Sequence, residues 1–238
     1  MERKEFIRKL GFTMMVAPLM GSCNTDEDPA GTETTGVDTT NSNNNGACTT
    51  TPGETAGPFP TKNPSTLVLT DIRSDRQGVP LNIHINIKSK SSNCASLEGV
   101  TVDIWHCDKD GAYSEYGGSG MQSTDYTSVH FLRGRQTTAA DGSTGFTSIF
   151  PGWYSGRAPH IHVHIYDSSG KSLLVTQIAF PKTVTDVVYT TSSLYSSRGK
   201  QDTTNENDNV FGDGYANELG VLEGSVSDGY SLSHTIVV

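Results

Sequence analysis

The chain has 238 residues, of which 34% are hydrophobic, 18% charged and 8% aromatic, with 25 glycines and a formal charge of −9. That length suits one β-rich domain with appendages, and the acidic balance argues against a nucleic-acid or anionic-membrane surface, which needs clustered Lys and Arg. No run of about 18 apolar residues occurs, which excludes a spanning helix.

The first 23 residues differ from the rest. Arg3, Lys4, Arg8 and Lys9 precede a short apolar stretch from Leu10 to Met20, followed by Gly21, Ser22 and Cys23. A basic region, a short apolar region and small residues before a cleavage point form an export signal. The cysteine after the small residues resembles a bacterial lipobox, so Cys23 is a candidate lipid anchor; Arg3 and Lys4 leave the twin-arginine and general export routes both open. Residues 24–47 hold five acidic side chains, no Lys or Arg, and Val37 as the only large aliphatic residue. Such a stretch cannot offset its ordering entropy and reads as a flexible tether. The first 23 residues carry +2 and the tether −5, leaving −6 on residues 48–238. With Cys23 set aside, Cys48, Cys94 and Cys107 allow one disulfide and one leftover thiol in an oxidising compartment. Three pairings are open, and Cys48–Cys94 is preferred.

From Cys48 onward the signals are for strands. Leu81 to Ile87, Val100 to Trp105 and His160 to Ile165 alternate apolar and polar residues, which sets one face of each against a core. Turn clusters lie between them at residues 108–111, 117–118, 141–143 and 167–170, and no long stretch has helical periodicity. Many short strands with glycine-rich turns predict an all-β sandwich of mainly antiparallel strands with long loops over 48–238.

The sharpest chemical feature is the run His160, Ile161, His162, Val163, His164. Residues two apart on a strand share a face, and neighbours about 6.6 Å apart can converge on one ion. The first and third lie about 13 Å apart, too far to share it easily. Alternating histidines can equally be exposed and inert. Upstream, the segment 151–159 carries Tyr154 and Arg157 and leads into this strand, while Trp105 to Ser114 carries Tyr113 after a strand and a glycine turn.

These segments resemble the intradiol ring-cleavage dioxygenases, non-haem ferric enzymes that open catechols between their hydroxyls. Thr55 to Phe59, Phe131 to Arg135, Thr176 to Pro181, Arg198-Gly199, Asp202-Thr203 and Asn207-Asp208 resemble the family as well, so the likeness covers about Cys48 to Phe211. It implies Tyr113 and Tyr154 as phenolate ligands, and His160 and His162 as imidazole ligands, of ferric iron. A free tyrosine has a pKa of about 10, and a nearby trivalent cation favours its phenolate. Phenolate with imidazole suits ferric iron better than zinc. Arg157 matches the family arginine beside the substrate, Gln177 a glutamine behind it, and Tyr154 a base during substrate binding. His164 has no ligand role and packs or hydrogen-bonds; Trp105 and His106 read as structural. The implied reaction takes a catechol-type diol and dioxygen to a cis,cis-muconate-type diacid. Two other readings stay open: a zinc hydrolase using His160, His162 and a third ligand, and a non-enzymatic surface-binding lipoprotein. Cytosolic catechol members dimerise with an N-terminal helical segment, and here only a tether precedes the domain. The export signal places the protein with exported members of the family.

Overall fold

The computed structural model describes residues 48–118 and 120–238. The export signal, Cys23 and the tether lie outside the described residues. Among the described residues, nine strands form two sheets. β1 (Pro80–Ser89) lies within the larger sheet, antiparallel to β5 (Ser143–Ile149) and to the short β2 (Ala95–Ser96), and parallel to β9 (Gly229–Val237), which carries β8 (Val221–Ser225) at its other edge. The smaller sheet is antiparallel throughout, in the order β4 (Arg133–Thr137), β3 (Thr101–Trp105), β6 (His160–Tyr166), β7 (Ser172–Ala179). The expected β-sandwich is the observed architecture, with β1–β9 as the parallel pair among antiparallel ones.

The alternation read in the sequence decides which face is inside. Leu81, Ile83, Ile85 and Ile87 of β1 are fully buried, as are Val102 and Ile104 of β3 and Ile161, Val163 and Ile165 of β6. They form one continuous core between the sheets with Phe146, Phe150, Leu232 and Ile236. The opposite face of the smaller sheet therefore presents Trp105, the three histidines and Gln177. Register pairing sets Trp105 opposite His162, and His162 opposite Gln177.

Among the described residues there is one α-helix, α1 (Lys182–Thr191), which the strand-dominated sequence reading did not identify. Its β-branched residues are weak helix formers, so packing stabilises it. Val188 and Tyr189 join the core, and the Tyr189 hydroxyl donates to the Pro151 carbonyl at 2.9 Å. Among the described residues no helix is long and apolar enough to cross a membrane. Cys48 and Cys94 form a disulfide, the preferred pairing, and Cys107 is the free, buried thiol.

Candidate active site

The outer face of β6 would be exposed, but residues 51–62 run across it and bury it. The Glu54 N–H bonds to the Val175 carbonyl at 2.7 Å, and the Gln177 side chain donates to the Thr55 carbonyl at 2.9 Å. Gly57 then passes directly over His162. It has a φ of +66°, and a Cβ there would sit 3.1 Å from the His162 ring. Glycine meets both demands at once. On the other side, the Trp105 indole stacks on the His162 ring, with centroids 4.8 Å apart and planes within 4°. Trp105 thus holds a candidate ligand in place, a role the sequence reading missed.

His160 and His162 are both buried, and their Nε2 atoms face each other at 3.0 Å. The Tyr113 hydroxyl lies 3.3 Å from His160 Nε2. His160 Nδ1 sits 2.6 Å from the Ala158 carbonyl. A carbonyl only accepts, so Nδ1 carries the proton and Nε2 turns its lone pair toward the cluster, the arrangement found in metal-bound histidines. Burial, with Arg157 adding to it, lowers the His160 pKa to about 3. His162 is pushed far below its ordinary value by burial first and then by His160. Both imidazoles are therefore neutral at pH 7. Burial raises the Tyr113 pKa well above 10, so only a nearby cation would favour its phenolate.

Tyr154 lines the same cavity, about 430 Å³ in volume. Its ring lies 6.1 Å from that of Tyr113, and Phe59 packs against both. The Tyr154 hydroxyl, however, donates to the Met121 carbonyl at 3.0 Å. The Tyr113 hydroxyl and His162 Nε2 thus each contact His160 Nε2, and the fourth predicted donor stands in the cavity wall with its hydroxyl bonded to Met121. His164 is apart from the cluster, bonded to Ser172 at 2.8 Å and Tyr166 at 2.7 Å. His106 bonds to the Cys107 carbonyl and Ser148 in the interior, a structural role as expected.

Arg157 and Gln177 are brought together as predicted, with Arg157 Nη2 donating to Gln177 Oε1 at 2.6 Å. Arg157 Nε donates to both carboxylate oxygens of Asp208, at 3.0 and 2.9 Å. Asp208 also accepts from the Ala158 and Val210 backbone N–H groups at 2.6 and 2.8 Å. The sequence motif contained Asp208 but suggested no role for it, because its partners lie about fifty residues away.

The donor set fits ferric iron. Two neutral imidazole nitrogens and a phenol oxygen come together, and a second phenol lies within the same cavity. The zinc reading needs a third ligand of the usual kind. Among the described residues, no group of three or more His, Cys, Asp or Glu side chains could hold a metal ion.

No family model matches the sequence. A chlorocatechol 1,2-dioxygenase of Rhodococcus opacus is 30% identical over 142 residues, 52% of this chain and 51% of the relative. The chain thus spans about half the length of this curated relative, and 37% of a catechol 1,2-dioxygenase of Acinetobacter lwoffii, 27% identical over 121 residues. An intradiol ring-cleavage dioxygenase structure from Tetranychus urticae superposes with a TM-score of 0.71 at 27% identity, covering 80% of this chain and 94% of that one. In sequence and fold the chain is similar to intradiol ring-cleavage dioxygenases. The dioxygenase domain of a carbohydrate-binding fusion protein from Streptomyces sp. SirexAA-E matches at 27% identity and a TM-score of 0.56, covering 80% of this chain and 98% of that domain.

Proposed function

We propose that the protein is a ferric-iron-dependent dioxygenase that opens a catechol-type diol between its two hydroxyls. One dioxygen adds per ring, so catechol would give cis,cis-muconic acid with no other co-reactant. The observation that carries this reading is the contact of the Tyr113 hydroxyl with His160 Nε2, which in turn faces His162 Nε2, on a cavity that Tyr154 and Arg157 also line. Tyr113, Tyr154, His160 and His162 would hold the iron, which would supply Lewis-acid chelation of both substrate oxygens.

The chain's own residues do the rest. Tyr154 is half-buried at the cavity wall, so as a phenolate it is the base placed to take a substrate hydroxyl proton. Arg157 is fixed by Asp208 and Gln177 before substrate arrives, and a preorganised cation beside developing ring charge is a large catalytic contribution. Phe59 closes one wall and limits water. Export fits the Cys48–Cys94 disulfide, since such bonds persist in oxidising compartments; a lipid anchor on Cys23 is part of the same proposal.

The test is the full chain reconstituted with ferric iron. It should develop a red to burgundy tyrosinate band and consume one dioxygen per catechol, with a product 32 mass units heavier by mass spectrometry. Replacing Tyr113 or Tyr154 by Phe should shift or abolish the band. Protein that stays colourless and iron-free after reconstitution would overturn the proposal.

A further inference from the structure

Tyr113 lies on irregular chain beyond the end of β3, and segments of that kind are ordinarily mobile. A side chain that is to hold a metal must nevertheless be fixed to within about 0.5 Å. The residues on either side have their own anchors. The Ala112 N–H donates to Asp108 Oδ1 at 3.0 Å, and the Ser114 carbonyl accepts from Arg133 Nη2 at 2.6 Å. The main chain of Tyr113 itself is bonded, among the described residues, by the side chain of Gln122.

Gln122 is buried, and its carboxamide takes both polar groups of the Tyr113 backbone. Oε1 accepts from the Tyr113 N–H at 2.7 Å, and Nε2 donates to the Tyr113 carbonyl at 2.8 Å. A backbone N–H only donates and a carbonyl only accepts, so these partners fix which way the carboxamide faces. Two facing residues exchange the same pair of bonds in an antiparallel ladder. A side chain thus stands in for a strand partner where the sheet has ended. Nε2 also lies 3.0 Å from the Tyr116 carbonyl and 3.2 Å from that of Thr124, which ties the turn to itself.

The clamp is seated against the cavity. Met121, the residue before it, lines the wall, and the Met121 carbonyl accepts from the Tyr154 hydroxyl at 3.0 Å. On the other side the Tyr113 ring stacks on Phe59 with centroids 4.8 Å apart, and its hydroxyl reaches His160 Nε2. Phe59 restrains the ring and Gln122 restrains the main chain that carries it.

We propose that Gln122 is a positioning residue for Tyr113, its carboxamide holding the phenol at the histidine pair. The inference rests on the ferric dioxygenase reading and concerns how one ligand of that site is kept in place. Without the carboxamide, a buried N–H and carbonyl lose their partners, and the backbone shifts to recover others. The ring shifts with it.

The experiment is a double-mutant cycle on ferric-iron affinity, measured on the full chain by competition with a chelator. Gln122→Met keeps the length of the side chain and removes the carboxamide. It should lower the affinity at least about tenfold and shift the visible band. In a chain that already carries Tyr113→Phe, the same change should cost less than about threefold, because the group it positions is gone. Gln122→Glu keeps the shape and an acceptor oxygen but loses the Nε2 donations, and it gives the same pattern through a second variant should the methionine one not fold. An equal loss in both backgrounds, or no loss in either, overturns the inference while leaving the iron-binding reading intact. Wild-type protein that takes up no iron and shows no band instead overturns the dioxygenase reading, and this inference falls with it.

Discussion

Glu218 offers a stability test apart from the candidate active site. It is fully buried, accepts a hydrogen bond from the Thr176 hydroxyl at 3.2 Å through Oε1, and leaves Oε2 without a partner. Burial, reinforced by the charges of Glu54 and Asp213, raises its pKa from 4.5 to about 8. The folded protein therefore binds the proton more tightly than the unfolded chain, so Glu218 costs stability as pH rises from about 4.5 to about 8 and the cost is constant above that. Each pKa unit is worth about 1.36 kcal/mol, so the loss between pH 5 and pH 9 reaches at most about 4 kcal/mol. For a domain of this size each kcal/mol moves Tm by roughly 2–4 °C. Glu218→Gln keeps the shape and removes the titration. Melting both proteins from pH 5 to pH 9 should show the variant gaining about 10 °C on the wild type across the series. Parallel curves, with a Tm difference that does not change with pH, would refute the assigned protonation.

Two further perturbations test the frame around the site. Replacing Cys48 and Cys94 by Ser opens a loop closed by a sequence separation of 46 residues, and the chain-entropy estimate for that length is about 4 kcal/mol; urea unfolding should show a lower midpoint, and reductant should lower the wild type but not the variant. Gly57→Ala sets a methyl against the His162 ring and imposes a side chain on a left-handed backbone position, so iron affinity, measured by competition with a chelator, should fall about 10–100-fold. Retention of wild-type affinity there would show that His162 is not held by the crossing segment.

Much of the fold was legible because the deciding signal is local. Strict alternation in β1, β3 and β6 specifies which face packs on the core, and a one-residue shift of register would turn every Ile of β1 away from it. The histidine pair was legible for the same reason, since both residues must share the non-core face of β6. The helix α1 was not, because its Thr- and Val-rich sequence gives little helical preference and forms a helix only when Val188 and Tyr189 reach the core. Trp105 and Asp208 were hidden for a different reason. What Trp105 does depends on β3 lying beside β6, and what Asp208 does depends on a return of the chain from about fifty residues downstream.

That return explains how irregular backbone can hold the candidate site. Tyr154 and His160 are joined by a loop with no sheet pairing of its own, and loops of this kind are ordinarily mobile. Here a second irregular segment grips it at successive points. The Trp153 indole donates to the Gly199 carbonyl at 3.3 Å, Asp202 accepts from Ser155 at 2.9 Å and from the Gly156 N–H, and Asp208 takes Arg157 and Ala158. The carboxylates of Asp202 and Asp208 thus fix the loop that carries Arg157. Precision at Arg157 comes from this grip, and a chain without Asp208 would leave the guanidinium Nε without its partner.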